Sequence, residues 1–140
     1  MSPRESLLGN REEKGRMLMG KPLEIVIVDD EEQITELLKT FIEFSSKDAK
    51  VHAFNDASKA RDYLMNNPID VVITDYKMPN YNGIELLEAA PKKARKILIS
   101  GYVSEVAEEK LNKINAVFFE KPVPMKQIGK IIADEAEALA

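Results

Sequence analysis

The sequence predicts an α/β fold: a doubly wound, five-stranded parallel sheet with helices on both faces. Three observations carry that expectation. Short β-branched runs such as Ile25-Val26-Ile27-Val28 and Val71-Val72-Ile73-Thr74 recur along the chain, and they have the unbroken apolar character of strands buried on both sides. Stretches with helical periodicity separate them, as parallel βαβ connections require. Polar residues follow the strand runs, which is where an open parallel sheet places its ligands. The 140 residues suit one domain.

Residues 1–21 are polar, mixed in charge and without a sustained period, and are read as a disordered N-terminal extension before a domain over 22–140. The first strand, Ile25 to Val28, ends in Asp29-Asp30-Glu31-Glu32, acidic residues suited to a helix N-terminus. The helix behind it carries Ile34, Leu37, Leu38, Phe41 and Ile42 as its inward stripe. Lys50 to Phe54 reads as the second strand. Asp56 then caps a helix with Ala57, Ala60, Tyr63 and Leu64 inward. The third strand, Val71 to Thr74, leads into Asp75 and a turn-rich loop from Tyr76 to Gly83. A short helix through Leu86 and Leu87 stops at Pro91, and Lys96 to Ser100 is the fourth strand. Val103, Val106, Leu111 and Ile114 mark a helix, and Ala116 to Phe119 is the last strand. Met125, Ile128, Ile131, Ile132 and Leu139 form the apolar side of the final helix. Strand order is not readable at this level.

Composition removes several function classes. With 24 acidic against 20 basic residues the net charge is -4, which gives no support to binding nucleic acid through its phosphates. The absence of cysteine excludes disulfides and thiolate chemistry. No apolar stretch approaches a membrane span and no secretory signal is visible, so a cytoplasmic location is expected. The run Lys92-Lys93-Ala94-Arg95-Lys96 is expected to be a solvated loop, and His52 a strand residue without function.

The chemistry should sit at the carboxyl ends of the strands. Asp29 and Asp30 follow the first strand, Asp75 the third and Lys121 the fifth, while Ser100 ends the fourth. Three carboxylates at one edge repel unless a cation compensates. A hard divalent ion with oxygen ligands, Mg²⁺ above all, answers that need, and Lys121 adds a charge opposite. Such a site suits phosphoryl transfer, in which a carboxylate can be the nucleophile. No nucleotide-binding loop is present, so the phosphoryl group must come from another protein or a small phosphodonor.

The segments IVIVDDEE (25–32), VVITDYKMPNYNG (71–83), ILISGY (97–102) and FFEKP (118–122) closely resemble the response-regulator receiver domain of two-component systems. The resemblance runs from about Leu23 to the chain end and implies the flavodoxin-like, CheY-like strand order 2-1-3-4-5. It implies that Asp75 is the phospho-acceptor and that Asp29, Asp30, Asp75 and the backbone carbonyl of Lys77 hold Mg²⁺. Ser100 would hydrogen-bond a phosphoryl oxygen, Lys121 would pair with it, and the Lys121-Pro122 bond would be cis. Ser100 and Phe118 would relay the switch to the face formed by the fourth helix, fifth strand and last helix. Lys77 and Tyr102 occupy flanking positions that tune the lifetime of the phosphoryl group. The implied partners are a sensor histidine kinase or histidine phosphotransfer protein and an unidentified downstream protein, with no nucleic acid and no membrane. Either a monomer or a weak homodimer is compatible. Because the sequence stops at the last helix, a stand-alone regulator acting by protein contact or onward phosphotransfer is expected.

Some positions depart from the family pattern. Asn82 stands where an acid often precedes the loop glycine, and Asn-Gly still suits a turn. Phe118 fills the place of a switch aromatic that is often tyrosine and lacks its hydroxyl; a buried strand aromatic needs no switch role at all. Taken singly, Asp29 and Asp30 could be helix N-terminal charges, Asp75 and Ser100 turn residues, and Lys121 a solvated lysine. One rival is a receiver-like interaction module that is never phosphorylated. Another is a hydrolase that proceeds through an aspartyl phosphate. Such enzymes usually carry a second acid two residues after the nucleophile, where this chain has Lys77.

Overall fold

The computed structural model describes residues 21–101 and 108–139. Strands β1 (Leu23–Val28), β2 (Ala49–Phe54), β3 (Val71–Asp75), β4 (Arg95–Ser100) and β5 (Ala116–Glu120) alternate with helices α1 (Glu32–Ser45), α2 (Ala57–Asn66), α3 (Gly83–Ala89), α4 (Glu108–Lys113) and α5 (Met125–Leu139). The strands form one sheet in the order β2-β1-β3-β4-β5, and every pairing is parallel. The order reverses direction between β1 and β3, where a crevice opens at the carboxyl edge.

Strand alternation divides the core into two layers. Val26, Val28, Val72 and Leu98 point to one face, where they meet Ala60 and Leu64 of α2, Leu86 and Leu87 of α3, and Leu111 of α4. Ile25, Ile27, Ile73, Ile97 and Ile99 point to the other, against Leu38 and Ile42 of α1 and Ile128 and Ile132 of α5. Burial on both faces explains why the central strands read as continuous apolar runs. Each fully buried side chain of this kind contributes roughly 1.5–3 kcal/mol.

Three expectations need correction. Leu37 is 55% exposed, although its spacing places it in the inward stripe. At ~100° per residue it lies ~140° around α1 from Ile42, outside the arc centred on Leu38, Ile42 and the buried Thr35. Leu139 is likewise 55% exposed, at the C-terminal end of α5. The basic run is only partly a solvated loop: Lys92 and Lys93 are exposed, but β4 begins at Arg95 and Lys96 is 5% exposed. The Lys96 ammonium donates to the carbonyls of Pro91, Lys92 and Ala94 at 3.1–3.2 Å, and burial lowers its pKa. Three carbonyl acceptors are what make burial of that charge tolerable.

Asn82 and Gly83 also serve differently from a simple turn. Asn82 is the N-cap of α3, and its side chain and that of Glu85 form a reciprocal capping box. His52 is a strand residue, as expected, with Nε2 2.8 Å from Glu24 Oε1 and the Tyr63 hydroxyl 3.2 Å away. The expected N-terminal extension falls mainly on residues 1–20, outside the described residues, as do Tyr102, Val103 and Val106. No helix among the described residues is long and apolar enough to cross a membrane.

Candidate functional site

Parallel register brings the strand ends together. Val28 pairs with Thr74, Asp75 with Ile99 and Ser100 with Glu120, so residues at and just beyond these positions line the carboxyl edge. Asp29 leaves β1 with its amide on the Phe54 carbonyl, 3.1 Å away, and one of its carboxylate oxygens accepts the Glu31 amide at 2.9 Å. That turn holds Asp29 inward, 3% exposed, while Asp30 faces solvent. Asp75 is 9% exposed, and its Oδ1 accepts its neighbour's amide, Tyr76 N–H, at 3.0 Å.

One carboxylate oxygen from each of Asp29, Asp30 and Asp75 lies within 4.8 Å of the others. Lys121 reaches over from the end of β5, its ammonium 3.4 Å from Asp29 Oδ2 and 3.5 Å from Asp75 Oδ1. Its backbone amide donates to the Ser100 carbonyl at 2.9 Å, which ties the β5 exit to the end of β4. The Lys121-Pro122 bond is cis, as the family resemblance implied. An open pocket of about 500 Å³ lies over this edge, lined by Asp30, Glu31, Asp75, Lys77, Gly101 and Lys121.

Burial pushes the Asp75 carboxyl up to about 6, and the negative charge of Asp29 adds to the shift; Lys121 and the Tyr76 amide only partly oppose it. Burial also raises Asp29, against the Glu31 amide and Lys121. For Lys121 burial works downward, but the two carboxylates outweigh it and hold the ammonium above its ordinary value. Lys121 and Lys77 stand against three aspartates and Glu31, so the edge is short of positive charge. An all-oxygen donor set with that deficit fits a hard divalent cation such as Mg²⁺.

Ser100 is fully buried at the end of β4. The Leu98–Phe118 register pair lies two residues before the Ser100–Glu120 pair, so Ser100 and Phe118 share a sheet face. Phe118 is half-buried there against the α2–α3–α4 layer. Lys77 is exposed on the pocket wall. Sequence reasoning missed Asn55, whose side-chain amide donates to the Asp29 carbonyl and to Thr35 Oγ1, and missed Glu31 as a lining residue. A lone Asn between a strand and a capping Asp gives no signal beyond that of a loop residue.

Comparison with known proteins agrees with this fold. Residues 25–133 match the family described as response regulator receiver domain. The response regulator Rre1 of Synechocystis is 35% identical over 77 residues, covering 55% of this chain and 33% of the relative. A protein-glutamate methylesterase/protein-glutamine glutaminase of Azospirillum brasilense is 26% identical over 129 residues, covering 86% of this chain and 32% of the relative. This chain thus spans about a third of the length of these curated relatives. A crystal structure of a CheY-like receiver domain protein from Methanospirillum hungatei superposes with a TM-score of 0.71 at 26% identity, covering 84% of this chain and 96% of the other.

Proposed function

Since this chain belongs to the response regulator receiver domain family of two-component signalling, we propose that it accepts a phosphoryl group on Asp75 from a phosphohistidine of a sensor kinase or phosphotransfer protein. The observation that carries the reading is the buried Asp75 carboxylate, flanked by Asp29 and Asp30 and paired with Lys121 beneath an open pocket. A carboxylate oxygen of Asp75 attacks phosphorus as the phosphorus–nitrogen bond breaks. The departing imidazole keeps that electron pair and takes up a proton. The product is an acyl phosphate.

Asp29, Asp30, Asp75 and the Lys77 carbonyl would hold Mg²⁺, which when bound supplies positive charge to the phosphoryl oxygens. Lys121 neutralises developing charge on the phosphoryl oxygens, and the Ser100 hydroxyl donates to one of them. Once phosphorylated, Asp75 carries added negative charge. Ser100 and Phe118, on one sheet face, bias the packing of the β4–α4–β5 region, and the signal leaves by protein contact. Lys77 limits access of water from the pocket wall, and Tyr102 acts with it in setting the lifetime.

The test is intact-mass measurement after incubation with a small acyl-phosphate donor and Mg²⁺. A gain of one phosphoryl group that disappears in Asp75→Asn and with chelator is expected. No gain, or a gain that survives Asp75→Asn, would overturn the proposal.

A further inference from the structure

At the opposite edge of the sheet, the start of β4 borders a second concavity of about 310 Å³. Its lining includes Lys92, Lys93, Arg95, Lys96, Asn115 and Glu135, four cations against one acid in a chain whose net charge is -4. The basic loop is held in place. Lys96 turns its ammonium inward onto the carbonyls of Pro91, Lys92 and Ala94, and that clamp fixes the backbone on which Lys92 and Lys93 stand exposed. Asn115, with φ 57°, closes the other side in a left-handed turn.

Arg95 supplies an independent observation. Its Nε is the one buried side-chain nitrogen or oxygen without a hydrogen-bond partner among the described residues. A buried donor left unsatisfied costs roughly 1–3 kcal/mol, a penalty that an oxyanion accepting from the guanidinium would reduce. A guanidinium donor with two exposed ammonium groups beside it is the donor set that recognises phosphate oxygens. The volume lies at the lower end of small-molecule sites. Lys92, Lys93 and Arg95 line one pocket rather than running as a stripe, which is not the footprint of a nucleic-acid backbone.

We propose that this pocket binds a small phosphate-bearing anion, with Arg95, Lys92 and Lys93 as its donors, separately from the chemistry at Asp75. The test is an amide NMR titration of the full chain in chelator, so that divalent ions do not recruit phosphate to the Asp75 edge. Pyrophosphate is the primary probe, with inorganic phosphate, ADP and citrate as further arms. Saturable shifts at Arg95, Lys96 and Asn115 are expected, with a Kd of about 1 mM or tighter. Arg95→Met should weaken binding about tenfold or more, because it removes a charge-assisted donor. Arg95→Met should also melt no lower than the parent without anion, since the unsatisfied donor is gone.

Should Arg95→Met fail to fold, the exposed Lys92→Gln/Lys93→Gln pair carries the same test with the same expected weakening. ADP binding tighter than pyrophosphate would assign the phosphate to a nucleotide, and equal binding would assign it to the free anion; both support the site. Citrate binding as tightly as pyrophosphate would overturn the phosphate class. Shifts confined to Asp29 and Asp75, no saturation, or indifference to both sets of substitutions would overturn the site.

Discussion

The Asn55 side-chain amide donates to the backbone carbonyl of Asp29 at 2.8 Å and to Thr35 Oγ1 at 2.9 Å. It thereby ties the end of β2 to the loop that presents Asp29 and Asp30. Thr35 is buried and its hydroxyl donates to the Glu32 carbonyl at 3.0 Å, so the clip reaches the first turn of α1. Asn55→Ala should cost about 1 kcal/mol of stability and weaken Mg²⁺ binding about tenfold. Asn55→Asp should do more harm, because a carboxylate cannot donate and adds charge beside two aspartates. Thermal melts and Mg²⁺ titrations separate the two effects, and unchanged Mg²⁺ affinity in both variants would remove Asn55 from the site.

Gly83 is buried where the start of α3 crosses the end of β3. A Cβ there would overlap the Asp75 backbone carbonyl and the Leu98 Cδ1 methyl. Gly83→Ala should therefore destabilise by roughly 1–3 kcal/mol through overpacking. It should also slow phosphorylation, because the carbonyl it displaces belongs to Asp75. Asn82→Ala, which loses only the cap, should cost about 1 kcal/mol and leave the phosphorylation rate nearly intact. Denaturant midpoints and phosphorylation rates of the two variants give the comparison, and equal rates would contradict the close approach.

Lys121 brings one ammonium to both Asp29 and Asp75, 3.4 and 3.5 Å away. Lys121→Met keeps the length of the chain and removes the charge. Phosphorylation of Asp75 should fall about tenfold or more. Without divalent ions the variant should melt below the parent at pH 7, and the gap should narrow at pH 4, where the carboxylates take up protons. A gap that does not depend on pH would show that Lys121 contributes packing rather than charge.

The parts of this architecture that depend on local pattern were legible in the sequence. Ile25 to Val28 and Val71 to Thr74 read as buried strands because both faces are covered, and that same pattern located Asp29 and Asp75 at strand ends. The charged site residues were legible because a parallel sheet collects its ligands at one edge. Long-range order was not. The β1–β3 neighbour relation follows from how α1 and α2 cross the sheet, which no local signal encodes. Leu37 reads as inward because periodicity defines an apolar arc wider than the face α1 buries, and the buried ammonium of Lys96 is not legible because a charged residue in a basic run gives no hint of three converging carbonyls. Asn55 acts through partners 26 and 20 residues away, beyond the reach of any motif.

The raised pKa of Asp75 links the site to folding. In the folded chain the group titrates at about 6 against an ordinary value of 3.8, with burial as the main cause and Asp29 next. The folded state therefore holds this proton more tightly than the unfolded state. Its contribution favours folding fully below pH ~4 and is lost as pH rises through ~6, leaving at pH 7 a relative penalty on the order of 3 kcal/mol. In chelator, the parent should lose stability between pH 4 and pH 7 relative to Asp75→Asn, which carries no titrating group there. Mg²⁺ should restore the parent at pH 7 and do little at pH 4.5, where protons compete for the same oxygens, and it should stabilise Asp75→Asn far less at either pH. Melting temperatures across that range, with and without Mg²⁺, read this directly. Parallel pH profiles for the two proteins in chelator would mean that Asp75 is ionised at no cost and that the charge deficit of the site is already met by the protein.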